Sequence, residues 1–177
     1  CANTTGCGNT AVGNNSAMCT SSGNYNVAVG MNALDANTTA SLNAAVGMNA
    51  LSTNTTGAGN TASGYAALRQ NSTAGCNTAI GYAASQSNTT GHHNTSLGRI
   101  SLYGTTTGCY NTGTGARSLN CNTTGCLNTA SGYSALKSNT TASHNTAVGA
   151  CSLAANTTGS LNVAVGYKAL VSNTTAN

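Results

Sequence analysis

The chain has 177 residues, and four types, Thr (30), Ala (29), Asn (26) and Gly (22), fill most of it. It contains no Pro, Phe or Trp, and its single acid, Asp35, faces five Lys and Arg for a net charge of +4. That excludes an ordinary globular domain, which is about a quarter charged and has aromatic side chains in its core. It also excludes paired-carboxylate hydrolysis and nearly excludes an oxygen cage for a hard cation; five scattered basic residues make a poor phosphate-binding surface, so no nucleic-acid partner is expected. No apolar run approaches the length of a membrane-spanning helix, so membrane insertion is not expected. The chain opens at Cys1 without Met or a leader, and reads as a mature or excised segment.

One period orders the rest. Asn-x-x-x-Gly begins at Asn9, Asn26, Asn43, Asn60, Asn77, Asn94, Asn111, Asn128, Asn145 and Asn162, and the interval between starts never changes. Read in chain order, the copies start at Asn3, Thr20, Asn37, Asn54, Asn71, Asn88, Thr105, Asn122, Asn139 and Asn156, and a partial eleventh covers 173–177. Numbering slots from Asn3 gives the seventeen-slot consensus N-T-T-G-x-x-N-T-A-V-G-Y-x-A-L-x-x. A unit of this size is too short for a helix-pair repeat, which takes about 33 residues, and paired glycines oppose helix. The predicted fold is therefore all-β: one parallel β-solenoid of ten coils, spanning residues 1–177 as a single domain. About three short strands are expected per coil, stacked at about 4.8 Å into a rod of roughly 48 Å. Disorder from low complexity would not keep ten equal spacings.

Within each copy the slots predict the same succession of environments. Slots 1–4, Asn-Thr-Thr-Gly, form a turn, with the Thr methyl of slot 3 directed inward. The Asn of slot 7, all ten residues named above, hydrogen-bonds up a ladder of identical side chains. Ala at slot 9 lines a narrow interior. Slot 10 is often apolar (Val12, Val29, Ile80, Leu97) and is either a bend or an outer seam. Slot 11 is a corner Gly in every copy: Gly13, Gly30, Gly47, Gly64, Gly81, Gly98, Gly115, Gly132, Gly149 and Gly166. Slot 15 carries the core Leu column: Leu34, Leu51, Leu68, Leu102, Leu119, Leu136, Leu153 and Leu170. All six charged residues fall in slots 12, 13 and 16, which are expected to face solvent.

The reactive side chains are placed by the same stacking. Cys109 and Cys126 share slot 5 in adjacent coils, within disulfide reach, and Cys1 and Cys19 occupy neighbouring slots one coil apart and are a second candidate pair, with Cys7 as competitor. Cys76 and Cys151 are about four coils apart, roughly 19 Å, too far to pair within one rod. Eight cysteines suit an oxidising compartment. Candidate glycosylation sequons begin at Asn3, Asn37, Asn54, Asn71, Asn88, Asn122, Asn139, Asn156 and Asn173, so glycans are candidate partners. A turn or ladder role for that Asn is the simpler reading. His92, His93 and His144 have no metal-ligand spacing, and no nucleophile has an identifiable base. No catalytic set, metal or cofactor is assigned. Tyr65, Tyr82, Tyr133 and Tyr167 share slot 12 as surface aromatics.

Strings such as Asn77-Thr-Ala-Ile-Gly-Tyr82 and Asn162-Val-Ala-Val-Gly-Tyr167, joined by Asn-Thr-Thr-Gly, resemble the NTAVGYxAL/NTTG repeats of phage tail-fibre-like and extracellular fibre proteins. They are similar in kind, though not in period, to the β-roll heads of trimeric autotransporter adhesins. The resemblance implies an elongated extracellular fibre at a virion or cell surface, often trimeric. Both ends of the chain run directly into the repeat, which is expected to stack head to tail on other copies. The function expected is structural and non-catalytic, with the chain itself as partner, head to tail and laterally or as a trimer. Two alternatives stand beside it: an ice-binding solenoid with outward Thr columns at slots 2 and 8, and an adhesin or tail-fibre shaft.

Overall fold

Each closed turn of the chain is one repeat long and contributes a single short strand. A computed structural model describes residues 3–177. Its strands are β1 (Thr10–Val12), β2 (Val27–Val29), β3 (Ala44–Val46), β4 (Thr61–Ser63) and β5 (Thr78–Ile80), then β6 (Thr95–Leu97), β7 (Thr112–Thr114), β8 (Thr129–Ser131), β9 (Thr146–Val148) and β10 (Val163–Val165). They form one parallel ten-stranded sheet in sequence order. Every pairing is offset by one repeat, as in Thr61↔Thr78, Ala62↔Ala79 and Ser63↔Ile80. The protein is an all-β solenoid, with no helix among the described residues.

One strand per coil, rather than three, corrects the expectation from sequence. The cause is backbone handedness. Twenty-eight non-glycine residues, at slots 6, 13 and 15, have φ between 48° and 63°. Left-handed residues cannot continue an extended run, and each costs about 1–2 kcal/mol. The turn is still bonded to its neighbours at these slots. Leu51 N–H donates to Ala67 O at 3.0 Å, Ala66 N–H to Met48 O at 2.9 Å and Cys76 N–H to Ala58 O at 3.0 Å. Amides outside the strands thus find partners in the adjacent coil, which offsets the conformational cost.

The interior is thin and built from slots 9, 14 and 15. Leu34, Leu51, Leu68, Leu102, Leu119, Leu136 and Leu153 are fully buried, between columns of Ala. Side chains alternate along each strand, so slot 9 points in while slots 8 and 10 point out. Slot 10 is therefore an outer column, which resolves the choice that the sequence left open. Slot 3 is also outward: its Thr and Ser side chains are exposed in all eleven copies, which corrects the inward methyl expected there. The Leu column is interrupted once between Leu34 and Leu170. Ser85 replaces Leu, Ser96 replaces Ala, and Ser101 lies beside them, all buried. The Ser96 and Ser101 hydroxyls pair at 2.8 Å. This layer separates an apolar cluster spanning Ala28 to Ala84 from one spanning Leu102 to Ala164.

Slot 11 must be Gly for a steric reason as well as a conformational one. Its φ lies between 108° and 138°. A Cβ on Gly81 would sit 2.6 Å from the carbonyl oxygen of Gly98 in the next coil. Adjacent corners touch backbone to backbone.

Candidate functional site

Two columns of buried Asn join the coils along the rod. At slot 7 each Oδ1 accepts the main-chain N–H of the corresponding Asn one coil on, at 2.9–3.0 Å. Each slot-7 Nδ2 donates to the slot-4 carbonyl of the next coil at 2.7–3.0 Å. Five steps add a direct Nδ2–Oδ1 bond between side chains. The slot-7 carbonyls still accept main-chain N–H groups of the coil before, as from Thr61 to Asn77 at 2.8 Å, and the Asn side chains add both a donor and an acceptor to that ladder.

At slot 1 the Asn Nδ2 closes its own turn onto the slot-4 carbonyl, and at several steps also reaches the slot-1 Oδ1 of the coil before. The two columns converge. The Ala74 carbonyl accepts from Asn60 at 2.9 Å and Asn71 at 2.8 Å, so both its lone pairs are used. The convergence escaped the sequence reading, although slot 4 being Gly or Ala in every copy was its signal. Thr20 and Thr105 interrupt the slot-1 column. Around the second break, the buried Thr105 Oγ1 and Asn88 Oδ1 have no partner, and Gly108 O keeps only Asn94, at 2.8 Å.

These bonds bear on the sequons. Asn37, Asn54, Asn71, Asn88, Asn122, Asn139 and Asn156 are buried, with Nδ2 bonded inward. A glycan on any of them is incompatible with the folded coil. Asn3 is exposed and Asn173 half-buried, in the first and last turns.

The hydroxyls divide by slot. At slot 2, Thr and Ser donate to the slot-2 carbonyl of the next coil at 3.0–3.2 Å over ten successive steps. The neighbouring slot-3 hydroxyls face solvent. Slot 8, on the sheet's outer face, is Thr at Thr10 and from Thr61 to Thr146, but is Val27, Ala44 and Val163 elsewhere.

The remaining chemistry is dispersed. The described cysteines are free thiols, and the Cys109–Cys126 disulfide is not formed. Instead the Cys109 N–H donates to Cys126 Sγ at 3.1 Å, as adjacent rungs of one column. The Cys1–Cys19 pairing lies outside the described residues. His93 stacks on Tyr110 (centroids 4.9 Å apart, 8° between planes), and Tyr65 stacks on Tyr82 at 5.1 Å. Arg99 lies 5.9 Å over Tyr82 and Lys168 lies 5.2 Å over Tyr167. Arg117 beside Tyr133, by hydrogen bonding first, pulls that phenol below its ordinary pKa. Burial raises the pKa of Asp35, with its own and the Ala36 amide opposing. Among the described residues, no three His, Cys, Asp or Glu side chains converge, and the surface has no cavity.

The class that these features define is a parallel β-solenoid with axial Asn columns. No family model matches the chain, and no curated protein or solved structure was found to resemble it.

Proposed function

We propose that the chain is a non-catalytic structural rod of an extracellular fibre or filament, at a virion or cell surface. The observation that carries this reading is the unbroken one-repeat register of all ten strands. Tension along the rod is shared at every step by main-chain bonds, the slot-7 Asn column and the slot-2 hydroxyls. Stacked identical side chains of this kind stiffen cross-β assemblies. Copies join head to tail, because every coil presents the same slots and the same one-repeat register to its neighbour. The contact is heterologous and does not close, so it extends.

Sedimentation velocity over a wide concentration range, with electron microscopy of the same samples, tests this. The expected result is rods of constant width, lengthening by about 48 Å per added copy. Isolated monomers at the highest concentration would refute the head-to-tail assembly.

A further inference from the structure

The outward turn of slot 3 places two hydroxyl-bearing columns side by side. Slots 2 and 3 are Thr or Ser in all eleven copies, without a gap, whereas the sheet face is broken at slot 8 and carries Ile80 and Leu97 at slot 10. The two columns differ in state. Slot-2 hydroxyls such as Thr89 (3.0 Å to Thr106 O) are bonded into the coil above, which fixes the rotamer and holds the methyl in place. Slot-3 hydroxyls such as Thr73, Thr90 and Thr107 have no side-chain bond to the protein and point to solvent. Neighbouring Cα atoms are about 3.8 Å apart along the chain, and successive coils about 4.8 Å apart. No charged residue occupies either column. The result is a two-column strip of hydroxyls, neutral and regular along the rod, with a methyl beside every hydroxyl except at Ser21, Ser22 and Ser72.

We propose that this Thr–Thr strip is a binding surface for crystalline water. Ordinary solutes are recognised by concave sites with a few convergent polar groups, and this strip is neither concave nor convergent. An ordered water lattice, by contrast, is an extended, neutral, periodic partner. Ordering a water against a protein costs entropy, and the slot-2 side chains, already held by their bonds to the next coil, add little further cost. The methyls favour removal from liquid water, while each slot-3 hydroxyl can donate to and accept from a fixed water position. The strip differs from the ice face expected from sequence, which paired slot 2 with slot 8.

The test uses the whole chain in an ice-recrystallisation assay and a thermal-hysteresis measurement. Three variants are compared: T90Y alone, the triple T73K/T90K/T107K on the strip, and T78Y on the sheet face. All replaced side chains are exposed or half-exposed, and circular dichroism of each variant reports the fold; T90Y covers the case in which the triple variant fails to fold. The expected result is ice activity in the native chain, lost in folded T90Y and in the folded triple variant and retained in T78Y. A folded native chain with no ice activity overturns the proposal. So does loss in T78Y with retention in T90Y, which would assign the activity to the sheet face. Retention of an insoluble polysaccharide by the native chain but not by T90Y, without any effect on ice, also overturns it.

Discussion

Replacing Asn94 with Ala is expected to cost markedly more than replacing Asn111, although both are buried slot-7 residues in one column. In either variant the next coil's slot-7 N–H loses its acceptor: Asn111 N (2.9 Å) in the first, Asn128 N (3.0 Å) in the second. The difference lies at slot 4. Gly125 O loses Asn111 but keeps Asn122 at 3.0 Å. Gly108 O loses Asn94, and Thr105 at slot 1 offers it no amide. A buried polar group left unpaired costs about 1–3 kcal/mol. Asn94→Ala leaves two such groups, roughly 2–6 kcal/mol, and Asn111→Ala leaves one, roughly 1–3 kcal/mol. Thr105→Asn supplies the missing donor and gives Asn88 Oδ1 a partner as well, two bonds worth about 1–3 kcal/mol together. In the Thr105→Asn background, Asn94→Ala is expected to fall to the cost of Asn111→Ala. Guanidinium unfolding followed by circular dichroism measures all the terms as a double-mutant cycle. Equal losses for Asn94→Ala and Asn111→Ala, or a Thr105→Asn chain no more stable than the native one, would refute the assignment of Gly108 O.

Three other outcomes follow from the geometry. Leu119→Ala opens a hole between Leu102 and Leu136 and is expected to cost about 2–5 kcal/mol in the same unfolding assay, whereas Leu170→Ala, half exposed, costs far less. Gly98→Ala drives a Cβ to 2.7 Å from the Gly115 carbonyl carbon, while at Gly166 the nearest atom is 4.0 Å away. Thermal melting should therefore separate the two variants widely; similar melting points would mean that positive φ alone, not contact, fixes this Gly. For Asp35 the raised pKa means that the native state holds the proton more tightly than the unfolded chain does. Stability is then greatest below the ordinary carboxylate value and declines as pH rises through the raised one. Asp35→Asn removes that decline, so melting curves from about pH 2 to about pH 7 should converge in acid and favour the variant near neutrality. With no other acidic side chain, the native chain should also keep its circular dichroism in acid; unfolding there would show that another group governs it.

The period made much of this architecture legible before any coordinates. When copies stack, one slot sees one environment, so an invariant slot must satisfy a demand common to all coils. Leu at slot 15 marks the interior, and Gly at slot 11 marks a place where backbones touch. Backbone handedness was not legible. Left-handed slots normally carry Gly or Asn, yet slot 15 is mostly Leu, and only Gly8 and Gly59 hint at slot 6. The strand count failed for that reason. The two Thr of slots 2 and 3 are equivalent as residue types. What distinguishes them is a carbonyl in the next coil that only slot 2 can reach. Cysteine spacing gave proximity at slot 5 but not the bond found there, in which the Cys126 thiol accepts the Cys109 amide.

The serine layer at Ser85, Ser96 and Ser101 has a mechanical consequence. In a stack whose cohesion is the sum of nearest-neighbour interfaces, the interface with the least apolar contact is where a stretched rod opens first. Here that interface lies close to mid-length, where hydroxyls stand in for Leu. Opening there leaves two halves, each with its own Leu spine, tethered by the continuous chain that brings them back together.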